Sequence, residues 1–214
     1  MFALKQWAPA SRGDGFTLIE ALVVLAIFGI LLALGVPKMT LWMLSSKAAA
    51  ATELYAEGFR LARQQALSHN AASRIVLTSN AGNGQMDWQV DICFLKPGVP
   101  CTDESGAWSA TDAAAPGDPE GGAGFKSVFR SASALPPSYV LQPTLLPQGG
   151  TSVYFTSLGW VDTTFDQRLT RIQLDPTDRY KADLPASALA VSLAGTVIKC
   201  DASVAITDSR ACPP

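Results

Sequence analysis

Two kinds of residue in this 214-residue chain stand where chemistry is required of them: one carboxylate in an oily run and four cysteines. Glu20 lies inside residues 16–36, where only it and Thr17 are polar. A carboxylate in hydrocarbon costs about 2.5 kcal/mol or more, so a nearby cation or donor must compensate it. The cysteines fall as two sequence-local pairs, Cys93 with Cys101 and Cys200 with Cys212. Neither pair has the CxxC spacing of a zinc site, and His69 is the one histidine available to help. Two small disulfide-closed loops in an oxidising compartment suit the spacing, although four cysteines allow three pairings.

Catalytic chemistry finds no foothold. A Ser-His-Asp arrangement would have to recruit His69, placed where a helix should stop, and no GxSxG elbow accompanies it. There is no P-loop, HExxH or EF-hand pattern, and the acidic stretch at 175–183 contains a proline and reads as a turn with solvated charges. The expectation is a non-enzyme with no cofactor and no metal. A net charge of −2 and a pI near 5.3 supply no bulk attraction to nucleic acid or anionic lipid.

The elements that must position these residues follow from pattern. Residues 16–36 match the roughly 20 apolar residues that a helix needs to span a membrane. Lys5 and Arg12 precede the run, so the positive-inside bias keeps the short N-terminus in the cytoplasm; Lys38 and Lys47 weaken that bias without reversing it. Gly29, Gly35 and Pro37 mark where the helix would bend or locally unwind. Beyond Pro37, Leu44, Ala48, Ala51, Tyr55, Phe59, Ala62 and Ala66 recur at spacings of three and four, a helical stripe that carries one helix to about residue 68. His69 and Asn70 read as termination and solvent exposure.

After Asn70 the period changes to short β-rich runs between Gly, Pro and Asn, predicting strands at 74–78, 87–93, 125–130, 139–141, 151–155, 169–174, 189–193 and 196–200. Residues 95–124 form a long Gly-, Pro-, Ala- and Asp-rich loop, either disordered or exposed for contact, with Trp108 tucked back onto the domain.

The stretch "GFTLIEALVVLAIFGILLALGVP" resembles the type III signal of type IV pilins and type II secretion pseudopilins. That resemblance implies an inner-membrane prepilin peptidase cutting between Gly15 and Phe16, N-methylation of the new Phe16 amine, and retention of the membrane helix. It also gives Glu20 a partner, the Phe16 amine of a neighbouring subunit, each charge lowering the other's cost in an apolar core. Glu20 lies in the first turn of the helix, where the macrodipole favours negative charge. Later segments, "VYFTSLGWV", "SLAGTVIKC" and the cysteine-closed tail "CDASVAITDSRAC", resemble GspH/FimT-type minor pilins and pseudopilins. One departure is that DNA-binding members carry an arginine-rich GRxR form of the closing segment, whereas Gly195 is followed here by Thr196, Val197 and Ile198, leaving Lys199 and the distant Arg210. Few neutralised phosphates mean weak binding, so DNA binding is not expected.

The expected fold class is α+β and pilin-like: a long N-terminal helix, membrane-spanning in its first half, packed on a C-terminal antiparallel β-sheet domain. The expected divisions are a leader at 1–15, a membrane and filament-core helix at 16–36, the outer half of the helix at 37–70, and a periplasmic β-rich domain at 71–214. The resemblance implies a minor type IV pilin in a complex that primes or caps pilus assembly; the alternatives are an H-type pseudopilin of a type II secretion system and a DNA-binding competence pilin. Implied partners are other minor and major pilins or pseudopilins, the prepilin peptidase and methylase, the inner-membrane assembly platform, and membrane lipid before assembly.

Overall fold

A computed structural model describes residues 16–98, 100–103 and 107–213. The leader 1–15, and with it Gly15, lies outside the described residues. Helix α1 is one unbroken element, Leu18–His69, 52 residues long, and it remains α-helical through Gly29, Gly35 and Pro37. The chain divides into two compact units, residues 1–42 and 43–214.

In the second unit α1 presents the stripe read from the sequence. Ala48, Ala51, Tyr55, Phe59, Ala62 and Ala66 are buried, with Thr52 and Ala56 between them. The small alanines let strands approach the helix closely while Tyr55 and Phe59 fill the core. At the helix end Asn70 takes a left-handed backbone conformation, φ 48°, a favoured asparagine solution for a helix stop. His69 is half-buried, not solvated as expected, with its ring 5.4 Å from Phe125.

Two four-stranded antiparallel sheets complete the body. In the first, β1 (Ala72–Ser79), β2 (Met86–Cys93), β3 (Val128–Arg130) and β5 (Ser152–Phe155) lie in the order β3-β2-β1-β5. In the second, β4 (Leu141–Leu146), β6 (Arg171–Pro176), β7 (Ser187–Val191) and β8 (Val197–Cys200) lie in the order β4-β6-β7-β8. One core joins helix and sheets: Tyr55 and Phe59 belong to the same buried cluster as Ile75, Trp88, Val90, Val153 and Phe155 from the first sheet and Leu141, Ile172, Leu174 and Leu189 from the second. The α+β class expected from the sequence, a long helix with antiparallel sheets, is the one observed.

Strand β4 differs from the expected run at 139–141, beginning where that run should end and continuing through Pro143. Proline cannot donate to a ladder, and β4 is accordingly an edge strand. Among the described residues after β2, Trp108 folds back onto the domain as expected, and the chain around Asp118 is more closely held than a loop reading implies. Trp108 bridges to Cys93 and is buried, donating its indole N–H to the Thr102 carbonyl at 2.9 Å. The buried Asp118 carboxylate accepts the backbone N–H groups of Glu120 at 2.9 Å and Phe125 at 3.0 Å, which folds 118–125 into a closed turn.

Candidate functional site

The first unit holds the carboxylate. Thr17 caps the helix, its Oγ1 accepting the Glu20 N–H at 3.2 Å, and the Ala21 N–H bonds to the Thr17 carbonyl at 3.1 Å. Glu20 therefore stands in the first turn, exposed, with the favourable end of the macrodipole beneath it. Around it the helix is apolar on every side. The consecutive residues Leu22, Val23, Val24 and Leu25 are each more than half exposed, and mean hydropathy reaches 2.7 over an 18-residue window. A surface apolar all round its circumference matches a lipid or protein environment, not water. Among the described residues, a Cβ added at Gly29 or Gly35 would meet nothing within 4 Å, so no contact among them requires glycine there.

The second unit carries the cysteines. Cys93 is bonded to Cys101 and Cys200 to Cys212. The second bond closes a loop whose ends also meet through an Asp201–Ala211 bridge and an Asp201 N–H to Arg210 carbonyl bond of 2.8 Å. Within it Arg210 is held by Asp208, Nε to Oδ1 at 3.1 Å and a terminal nitrogen to Oδ2 at 2.9 Å, and this contact draws the Asp208 carboxyl below its ordinary range. The guanidinium is paired locally yet stays at the surface, so Arg210 and Lys199 on β8 are both exposed cations of the closing segment.

The acidic stretch forms a turn in which Asp178 and Lys181 pair at 2.6 Å; their hydrogen bond lowers the Asp178 carboxyl and raises the Lys181 amine. Burial pushes Asp175 the other way, upward. Among the described residues no group of three or more His, Cys, Asp or Glu side chains is placed to hold a metal ion.

A convergence that sequence reasoning missed lies at the end of α1. Arg63 donates Nε–H to the Gly159 carbonyl at 3.1 Å, and Val161 N–H bonds to the Leu193 carbonyl at 2.9 Å. Gly159 (φ 73°) and Gly195 (φ 74°) both occupy left-handed turns. A Cβ on Gly195 would collide with the Gly159 carbonyl, and one on Gly159 would press on Leu67. These glycines let two turns close over the helix end, leaving Leu67, Leu158, Trp160 and Leu193 exposed. The aromatic-glycine pattern of "VYFTSLGWV" is the one signal that could have marked the place.

A capped, charge-bearing apolar helix leading into an α+β body with two antiparallel sheets is the plan of a pilin-class subunit. The model of the prokaryotic N-terminal methylation motif matches residues 11–36, and that of the type II transport protein GspH matches residues 50–195. The chain belongs to the GspH family, whose members are structural subunits. No curated protein matches by sequence. Among solved structures the chain is similar to the type IV minor pilin FimU of Pseudomonas aeruginosa in two crystal forms. One has 16% identity and a TM-score of 0.38, covering 74% of this chain and 97% of that one. The other has 17% identity and a TM-score of 0.37, covering 77% and 93%.

Proposed function

We propose that the chain is a minor subunit of a type IV filament, held in the inner membrane with its N-terminus cytoplasmic and its 71–214 domain periplasmic, and acting by contact in the complex that primes or caps the filament. In this reading the peptidase removes residues 1–15, Phe16 becomes the N-methylated terminus, and residues 16–36 enter the filament core. The observation that carries it is Glu20: an exposed carboxylate in the first turn of a helix that is apolar on all sides. Inside a bundle of such helices it needs a cation, which the terminal amine of an adjacent subunit, the counterpart of this chain's Phe16 amine, would supply. Gly29, Gly35 and Pro37 would give the helix local freedom to bend, and glycines facing open space admit a close neighbouring helix.

The mechanism is one of registry. A subunit whose amine and carboxylate are both unpaired in the core is penalised, so pairing selects one axial position for each arrival. The domain and its loops then choose the neighbours. The family description favours a second reading, the H-type pseudopilin of a type II secretion system, which uses the same helix device for protein export. A DNA-binding role is poorly supported, since the closing segment offers Lys199 and Arg210 in place of an arginine-rich cluster and would neutralise few phosphates. The test is Glu20→Ala, followed in membranes and in sheared filaments. The variant is expected to stay in the membrane at normal level and to be depleted from filaments; normal incorporation would defeat the pairing argument.

A further inference from the structure

We infer that Glu20, Lys38 and Trp42 fix the depth of α1 in a phospholipid bilayer, with Trp42 seated in the headgroup layer of the distal leaflet. The inference rests on the single-pass membrane reading above and adds a register to it.

Two spacings along the helix agree. Glu20 and Lys38 bracket a stretch without any charged residue. Eighteen steps at about 1.5 Å make that stretch about 27 Å long, against about 30 Å for the hydrocarbon core. From Leu18, the first helical residue, to Trp42 the same rise gives about 36 Å, and Phe16 and Thr17 ahead of the helix extend the span toward the roughly 40–45 Å of a bilayer with its headgroup regions. Both charged ends and both aromatic ends therefore fall at boundaries in a single placement.

The side chains suit that placement. Trp42 is 68% exposed, an unusual state for the most interface-seeking of side chains, and Met39 and Met43 beside it are exposed as well. Lys38 lies four residues before Trp42, on the same helix face, so an ammonium and an indole reach the same layer together. The ammonium complements lipid phosphate, and the indole offers an apolar body with one N–H donor.

This register changes the account of Glu20. In the bilayer the carboxylate lies at the proximal boundary, within reach of water and headgroups. Its partner becomes necessary when the helix leaves lipid for the filament core, so the same residue holds the waiting subunit in place and then demands pairing from the assembled one.

The test uses the processed full chain in phosphatidylcholine vesicles containing phosphatidylglycerol, with bromine on the acyl chains either near the headgroup or near the midplane. The fluorescence component lost in Trp42→Phe is the Trp42 signal. It is expected to be quenched more strongly by the shallow label, and Lys38→Leu should shift quenching toward the deep one. Stronger quenching of Trp42 by the deep label, or none by either, in protein that floats with the vesicles would overturn the register alone. Protein that does not float with vesicles would overturn the membrane reading itself.

Discussion

Gln85 is fully buried, and its loss should unfasten the two sheets. Its Nε2 donates to the carbonyls of Pro136 at 2.7 Å and Leu141 at 2.6 Å, and its Oε1 accepts the Tyr55 hydroxyl at 3.3 Å. Tyr55 in turn accepts the Met86 N–H at 3.1 Å. One amide thus ties α1, the start of β2 and the start of β4. Gln85→Leu removes three hydrogen bonds worth about 1 kcal/mol each and strands two carbonyls, whose desolvation adds about 1–3 kcal/mol apiece if they find no water. Set against the extra apolar burial of leucine, a net loss of about 3–5 kcal/mol is expected. Tyr55→Phe should cost about 1–2 kcal/mol, and the double variant less than the sum. Burial pushes the Tyr55 hydroxyl up to about 12; the Met86 N–H opposes the shift and Asp87 adds to it. Because the unfolded hydroxyl ionises near 10, this group's contribution is constant below about pH 10 and is lost between pH 10 and 12, by at most about 2–3 kcal/mol. Urea titration of the full chain in detergent micelles, read by tryptophan emission, measures each term. A Gln85→Leu variant within about 1 kcal/mol of the parent would refute the three-way tie. An alkaline decline left unchanged by Tyr55→Phe would refute the assignment to Tyr55.

Two further outcomes are expected. Gly58→Val should destabilise the body by about 1–3 kcal/mol in the same titration, because a Cβ there lies 2.6 Å from Ile75 Cδ1 and 2.9 Å from Trp88 Cδ2; parental stability would show that the helix–sheet contact is looser than described. Intact mass of the membrane-extracted protein should show loss of residues 1–15 and gain of one methyl group, and an uncut N-terminus would contradict the processing assigned to Gly15 and Phe16.

The helix was legible in the sequence because its signals are periodic and local. Ala48, Ala51, Tyr55, Phe59, Ala62 and Ala66 repeat at three and four, and those six are buried. Residues 16–36 were equally plain, since composition alone sets the environment they need. Strand β4 was displaced because Pro143 argues against a strand unless the edge position is known, and that position depends on which strands pair across the chain. The closed turn around Asp118 was hidden for a similar reason: its carboxylate is buried through bonds to Glu120 and Phe125 in a stretch whose composition reads as loop, whereas Trp108 folds back onto the domain as expected. Gln85 gave no signal at all, as a glutamine between Gly84 and Met86 looks like a turn residue until Tyr55, Pro136 and Leu141 surround it. At the helix end, Gly159 and Gly195 were visible as glycines, but their mutual contact was not.

If the chain acts in the complex that primes the filament, as proposed, its removal should stop filaments from starting. The most direct measurement is a count of surface pili after in-frame deletion in a retraction-defective background, where failure to initiate is separated from excessive withdrawal. The account predicts loss of pili despite blocked retraction, restored by the intact chain and not by Glu20→Ala. Normal pili in the deletion strain would contradict the priming role and turn attention to the secretion machine.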